Sequence, residues 1–150
     1  MIIYHASYRK FNQPNLKYAK SYRDFGEGFY VTQHYLDALS ILKGKPGYIY
    51  KYELNDDCLT HLELTRDNII AKIIIIMFRT QKMFVDHDII SGPTATGKIS
   101  KLFKQLRNGE DCIDLIKNEI KFDTYQDQIC LKSNKAINQL TLLEIEDIYE

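Results

Sequence analysis

The stretch whose reading decides the fold is Asp24-Phe25-Gly26-Glu27-Gly28-Phe29-Tyr30-Val31-Thr32. Two glycines two residues apart let the backbone bend sharply and let a ligand come close before an aromatic pair begins a strand. Gly28 is the residue expected to take dihedrals closed to other side chains. In a strand, Phe29 and Tyr30 point to opposite faces, so one ring enters the core while the other faces a cleft.

Outward from that stretch, the chain reads as alternating elements without a regular strand-helix-strand rhythm. Upstream, Ile2 to Ser7 is a strand with Ile3, His5 and Ser7 on one face, and Arg9 to Arg23 is a polar, turn-rich loop. Downstream, Thr32 is placed to cap a helix over 33–43 whose Tyr35, Ala38, Leu39 and Leu42 form an apolar stripe. A strand over 48–54 and a turn at Asn55-Asp56-Asp57 follow. The isoleucine run from Ile69 suits a strand by β-branching, yet its length predicts a helix over 69–82. Asp86 to Ser91 is a short strand broken by Gly92-Pro93. Helices over 99–106 and near 111–118, a strand over 126–131, a Ser133-capped helix to Gln139 and a last strand over 142–148 complete the chain. These features predict one α+β domain over 1–150 with mostly antiparallel strands.

Composition narrows the function classes. With 20 basic against 20 acidic residues the chain has no general attraction to nucleic acid or anionic lipid. Three cysteines without metal-like spacing, and a start without a signal-type segment, predict a cytoplasmic protein. The run from Ile69 to Phe78 is broken by Lys72 and too short to span a bilayer. His5, His34, His61 and His87 have no zinc-chelating spacing, so no metal is expected.

Tyr4-His5-Ala6-Ser7, the glycine stretch, Asp88-Ile89-Ile90-Ser91-Gly92-Pro93, and Gln128-Ile129-Cys130 with Ala136 and Leu140 together resemble, in order, an uncharacterised bacterial family grouped with the ADP-ribosyltransferases. The first two blocks are similar to the His-Gly-Ser and Gly-x-Gly-x-Tyr motifs of the diphtheria-toxin and poly(ADP-ribose) polymerase branch, whose sites are summarised as His-Tyr-Glu. The resemblance implies a fold of two small sheets forming a split β-sandwich with flanking helices, with NAD held in the cleft. It implies cleavage of the nicotinamide-ribose bond and transfer of ADP-ribose to a macromolecular acceptor, protein or nucleic acid. A role as the toxin of a toxin–antitoxin or phage-defence pair, with an antitoxin protein as partner, goes with it.

Residue by residue, the resemblance gives His5 the adenosine ribose hydroxyls, the main chain of Ala6 the nicotinamide carboxamide, and Ser7 that amide or the other ribose. Gly28 and Phe29 line the cofactor. Tyr30 stacks on nicotinamide, with Tyr18 or Tyr22 closing over it. Where the broad pattern has glutamate this chain has Gln128, which hydrogen-bonds but takes no proton. Glu27 is the expected nearby carboxylate, because Asp127 is expected to face the core. A non-catalytic NAD or ADP-ribose binding module is the alternative. Taken singly, a strand histidine, an aromatic pair, two glycines and a strand glutamine are all ordinary structural residues.

A second motif competes. Gly92-Pro93-Thr94-Ala95-Thr96-Gly97-Lys98 spells Gly-x4-Gly-Lys, as a phosphate-cradling loop does. Ile99 stands where the magnesium-binding hydroxyl belongs, and Pro93 deletes an amide. A nucleotide triphosphatase is thus the weaker alternative, and the plain expectation is a Gly-Pro turn with Asp88 and Arg79 as an internal ion pair. Lys98, Lys101, Lys104 and Arg107 form a basic helix face that suits solvent, an acidic partner or nucleic acid.

Overall fold

The computed structural model describes residues 1–16, 23–66, 68–80, 85–97, 100–109 and 113–149. The elements are β1 (Ile2–Ser7), β2 (Phe29–Val31), α1 (Tyr35–Ile41), β3 (Gly47–Leu54), β4 (His61–Glu63), α2 (Ile69–Thr80), β5 (Ile89–Thr96), α3 (Ser100–Arg107), α4 (Ile113–Glu119), β6 (Lys121–Leu131), α5 (Asn134–Ile137) and β7 (Leu140–Ile148). Strands β1-β3-β7 form one antiparallel sheet, and β2-β6-β5-β4 form a second in which only the β4–β5 pair is parallel. This is the expected α+β architecture of two small, mostly antiparallel sheets with flanking helices.

Period-two alternation gives each sheet two buried faces. Ile3, Tyr50, Tyr52 and Leu54 from the first sheet meet Val31, Ile89, Ile129 and Leu131 from the second, forming the core between sheets. On the outer face of the first sheet, Ile49 packs under Ala38 of α1 and Leu42 at its C-terminal end. On the outer face of the second, Ile90 and Cys130 lie under Ala71, Ile75, Ile76 and Phe78 of α2, with Leu102 and Ile116 from α3 and α4. The isoleucine run is thus a helix despite its β-branching, and its twelve residues bury one stripe against the sheet. Lys72 on that stripe sends its ammonium to the Lys117 carbonyl at 3.1 Å, near the end of α4.

Four expectations change. β5 runs through Gly92-Pro93 instead of ending at Ser91. The proline is accommodated because the β5–β6 register shifts between Pro93 and Ala95, so its missing N–H coincides with an irregularity in the ladder. β4 was not anticipated, three residues being too short to alternate. α1 begins at Tyr35 with no side-chain cap from His34, and Thr32 instead accepts the His34 N–H at 3.2 Å. β6 begins at Lys121, five residues before the expected start. Asp123 accepts the N–H groups of Tyr125 and Gln126 within the irregular part of that strand, which depresses the Asp123 carboxyl below its usual range.

Among the described residues the two sheets meet edge to edge at one bridge. Tyr4 and Thr32 exchange both backbone hydrogen bonds, at 2.7 and 2.9 Å, as an isolated antiparallel bridge between β1 and β2.

Candidate functional site

Continuing that ladder by one hydrogen-bonded pair would set Ala6 opposite Tyr30. The pair does not form. The His5 ring takes the Tyr30 carbonyl, Nδ1 to O at 2.7 Å. A carbonyl only accepts, so Nδ1 carries the proton and Nε2 is left as an acceptor. Because hydrogen-bonded pairs alternate, Ala6 turns its N–H and C=O the same way as Tyr4, into the gap where the sheets part. The imidazole is stacked on Phe29 at 4.2 Å, with the Phe11 ring edge-on at 5.7 Å. Phe11 is itself stacked on Tyr50 at 4.2 Å and donates its backbone N–H to the Tyr50 hydroxyl. Burial among these rings lowers the His5 pKa to about 4, against the opposing pull of the Tyr30 carbonyl, so the ring is neutral at physiological pH. Ser7 is occupied locally, donating to the Arg9 carbonyl at 2.7 Å.

The glycine stretch is held from three sides. Gly26, with φ of 71°, is the left-handed residue, and an added Cβ there would meet Phe78 Cδ1 at 2.9 Å. Gly28 was expected to take that role. Its glycine is required instead by space, since a Cβ would lie 2.2 Å from Cys130 Sγ and 2.8 Å from the Leu131 carbonyl oxygen. The Tyr30 hydroxyl accepts the Phe25 N–H at 3.0 Å and donates to the Gly26 carbonyl at 2.6 Å. Burial, with the nearby Cys130, pushes the Tyr30 phenol far above its ordinary pKa. Lys132 Nζ donates to the carbonyls of Phe25 and Glu27, both at 2.5 Å, and sits 5.2 Å above the Phe78 ring. Its pKa is lowered by that burial and partly restored by Cys130 and Glu27.

Asp24 is the hub on the helical side of the second sheet. Its buried carboxylate receives Arg79 through Nε at 2.5 Å and through a close Nη2 contact, the Ala95 N–H at 3.1 Å and Gln128 Nε2 at 2.8 Å. Arg79 also donates to the Ala95 carbonyl at 2.6 Å. The neighbour explains Gln128: an amide donates to Asp24, whereas a glutamate would set two carboxylates in contact. Gln128 keeps Oε1 without a partner among the described residues.

The expected ion pair of Arg79 with Asp88 is not formed. Asp88 accepts from the Ser133 hydroxyl at 2.6 Å and from Thr60, bonds that lower its pKa. Asp127, expected to face the core, is exposed and paired with Arg66 at 2.8 Å. Arg66 also donates to the Asp123 carbonyl, so it bridges the irregular part of β6 and holds Asp127 outward.

The predicted site residues fall into two groups on either side of β2. His5, Ala6, Ser7 and Phe29 lie with the β1–β2 gap and the inter-sheet aromatic cluster. The Tyr30 ring, Gln128, Gly28 and Glu27 belong with the Asp24 turn. The link between the groups is the hydrogen bond from His5 to the Tyr30 carbonyl. The Tyr30 ring is stacked against Phe25, centroids 6.4 Å apart, and has the Arg23 guanidinium 5.5 Å from its centroid. Tyr18 and Tyr22 lie outside the described residues, as does Lys98. The phosphate-loop spelling from Gly92 to Thr96 is extended strand paired with β6. Sequence reasoning missed Arg79 and Lys132 as organisers of the site, since neither is near the motif in the chain.

Two sheets, joined among the described residues by one bridge and with the ladder interrupted beside a neutral histidine, define an α+β domain. The chain belongs to the family described as Protein of unknown function (DUF3990), which it matches over residues 1–142. No curated protein and no solved structure matches it.

Proposed function

We propose that this chain is an NAD-dependent mono-ADP-ribosyltransferase acting on a macromolecular acceptor. The observation that carries the reading is the interrupted β1–β2 ladder. His5 blocks the Ala6–Tyr30 pairing, and a main-chain N–H and C=O remain side by side at an open edge. A primary carboxamide such as that of nicotinamide is complementary to that pair, accepting from the N–H and donating to the C=O. His5 Nε2, uncharged, accepts a ribose hydroxyl. Tyr30 contributes through its carbonyl, which fixes the His5 ring, while its own ring lies on the other side of β2 and braces the Asp24 turn.

In the reaction the bond between nicotinamide nitrogen and ribose C1′ breaks, the electron pair leaves with nicotinamide, and positive charge develops on the ribose. The acceptor nucleophile then bonds to C1′ and loses its proton. Gln128, anchored through Nε2 on Asp24, offers Oε1 to a ribose hydroxyl and takes no proton. Deprotonation therefore falls to Glu27, to the acceptor's own surroundings, or to solvent when the acceptor is a good nucleophile. The toxin role with an antitoxin partner is part of the same proposal.

Incubation with labelled NAD and host lysate or nucleic acid should transfer label, and His5→Ala and Tyr30→Ala should abolish the transfer. A second reading, a binding module without chemistry, is favoured by the Gln128–Asp24 bond, which replaces a carboxylate that helps catalysis. Calorimetric NAD binding without nicotinamide release would select it; no NAD binding at all would remove both readings.

A further inference from the structure

On the outer face of the first sheet, away from the β1–β2 gap, a pocket of about 160 Å³ is lined by Tyr4, Tyr35, Ile49, Lys51, Glu144 and Glu146. Tyr4 and Tyr35 meet edge-to-face with centroids 5.8 Å apart, forming an aromatic wall, and Ile49 is the buried floor. Across from the wall stand two carboxylates on β7. The Tyr35 hydroxyl donates to Glu146 Oε1 at 3.2 Å, and its pKa is raised by desolvation and by both glutamates. Lys51 lies opposite Glu144 in the β3–β7 register, yet it closes no ion pair among the described residues. One carboxylate more than the cations present, beside electron-rich ring faces, is the chemistry that takes a guanidinium or ammonium group.

The surroundings extend that preference. β7 is the outer strand of its sheet, and among the described residues nothing pairs with its far edge. From Leu140 to Glu150 the chain carries Glu144, Glu146, Asp147 and Glu150 and no lysine or arginine. Leu142 and Leu143 are 43% and 48% exposed on the same strand. The charges along this edge strand are all acidic, with no lysine or proline among its residues.

We infer that this face docks an extended, basic segment of a partner protein. The segment adds to the β7 edge and places an arginine or lysine side chain in the pocket walled by Tyr4 and Tyr35. A strand added there lies about 4.8 Å beyond β7, within reach of a long basic side chain crossing Glu144 and Glu146. The inference does not rest on the NAD reading: the pocket shares only Tyr4 with the β1–β2 junction, using its side chain where the junction uses its main chain.

The test uses the full chain and a fluorescently labelled peptide of alternating arginine and valine, with a glutamate-valine peptide as control. Anisotropy should report binding of the basic peptide alone, weakening as salt rises. Glu146→Gln and Tyr35→Ala should each weaken it about tenfold, and Lys51→Met should tighten it. Asp147→Asn, at a position opposite Tyr48 in the β3–β7 register and so on the other face of the strand from Glu144 and Glu146, should leave it within about twofold. Thermal unfolding of each variant separates misfolding from lost contact, with Glu144→Gln as the second variant if Tyr35→Ala does not fold. The inference is overturned if the basic peptide does not bind, if Glu146→Gln and Glu144→Gln bind it unchanged, or if Asp147→Asn weakens it as much. Self-association of the chain through β7, seen by sedimentation, would equally replace the partner with a second copy.

Discussion

Gln128→Glu restores the residue type that the His-Tyr-Glu pattern carries, and the structure says that it should cost stability. Gln128 Nε2 donates to Asp24 Oδ2 at 2.8 Å. The substitution removes a hydrogen bond to a charged acceptor, about 1.5–3 kcal/mol, and sets two carboxylates in contact. At about 3 Å and an effective dielectric near 20 their repulsion is about 5 kcal/mol. Protonation caps that figure. Neutralising a glutamate with an unfolded pKa of about 4.3 costs about 3.7 kcal/mol at pH 7 and about 1 kcal/mol at pH 5, and the resulting O–H again donates to Asp24. The new carboxyl has a folded pKa above its unfolded one, so the folded state binds more protons and the variant loses stability as pH rises between the two. Urea unfolding of wild type and variant side by side should therefore give a deficit of about 3.7 kcal/mol at pH 7, with a Tm roughly 10 °C lower, shrinking to about 1 kcal/mol at pH 5. A variant as stable as wild type at pH 7, or a deficit that does not shrink at pH 5, would refute the Asp24 hub.

Further outcomes follow from the same geometry. Gly28→Ala should destabilise by about 1–3 kcal/mol in urea melts through overpacking on Cys130, and Cys130→Ala in the same chain should recover part of the loss. His5 should titrate near pH 4 by NMR and show the Nδ1–H tautomer above it. Its folded pKa lies below the unfolded 6.5, so its contribution to stability is complete above pH 6.5 and declines as pH falls toward 4; a midpoint near 6.5 would contradict its burial. Tyr30→Phe should lower stability by about 1–2 kcal/mol, because the Phe25 N–H and the Gly26 carbonyl both lose their partner, and faster hydrogen exchange at Phe25 would localise the effect. Ser133→Ala should cost about 1 kcal/mol by uncapping α5, whose Ala136 N–H bonds the serine hydroxyl at 3.0 Å.

What the chain's own pattern determined was local. Alternation in Ile2 to Ser7 and Tyr48 to Leu54, the helical length of the isoleucine run and the Ser133 cap each follow from period and propensity acting within a few residues. The opposite faces of Phe29 and Tyr30 follow from the same pleat, and the two-sheet expectation came with the motif resemblance. Long-range contacts decided the rest. That Gly28 is a glycine for space follows from Cys130 and Leu131, and the close approach at Gly26 from Phe78, all distant in sequence. Pro93 stays in a strand because β6 tolerates an irregular register beside it, and Asp127 is exposed beside Arg66, a partner 61 residues away in the chain. Gln128 is an amide beside Asp24 for a reason that appears only when β6 brings the two together, since electrostatics acts through space while sequence spacing records only the chain.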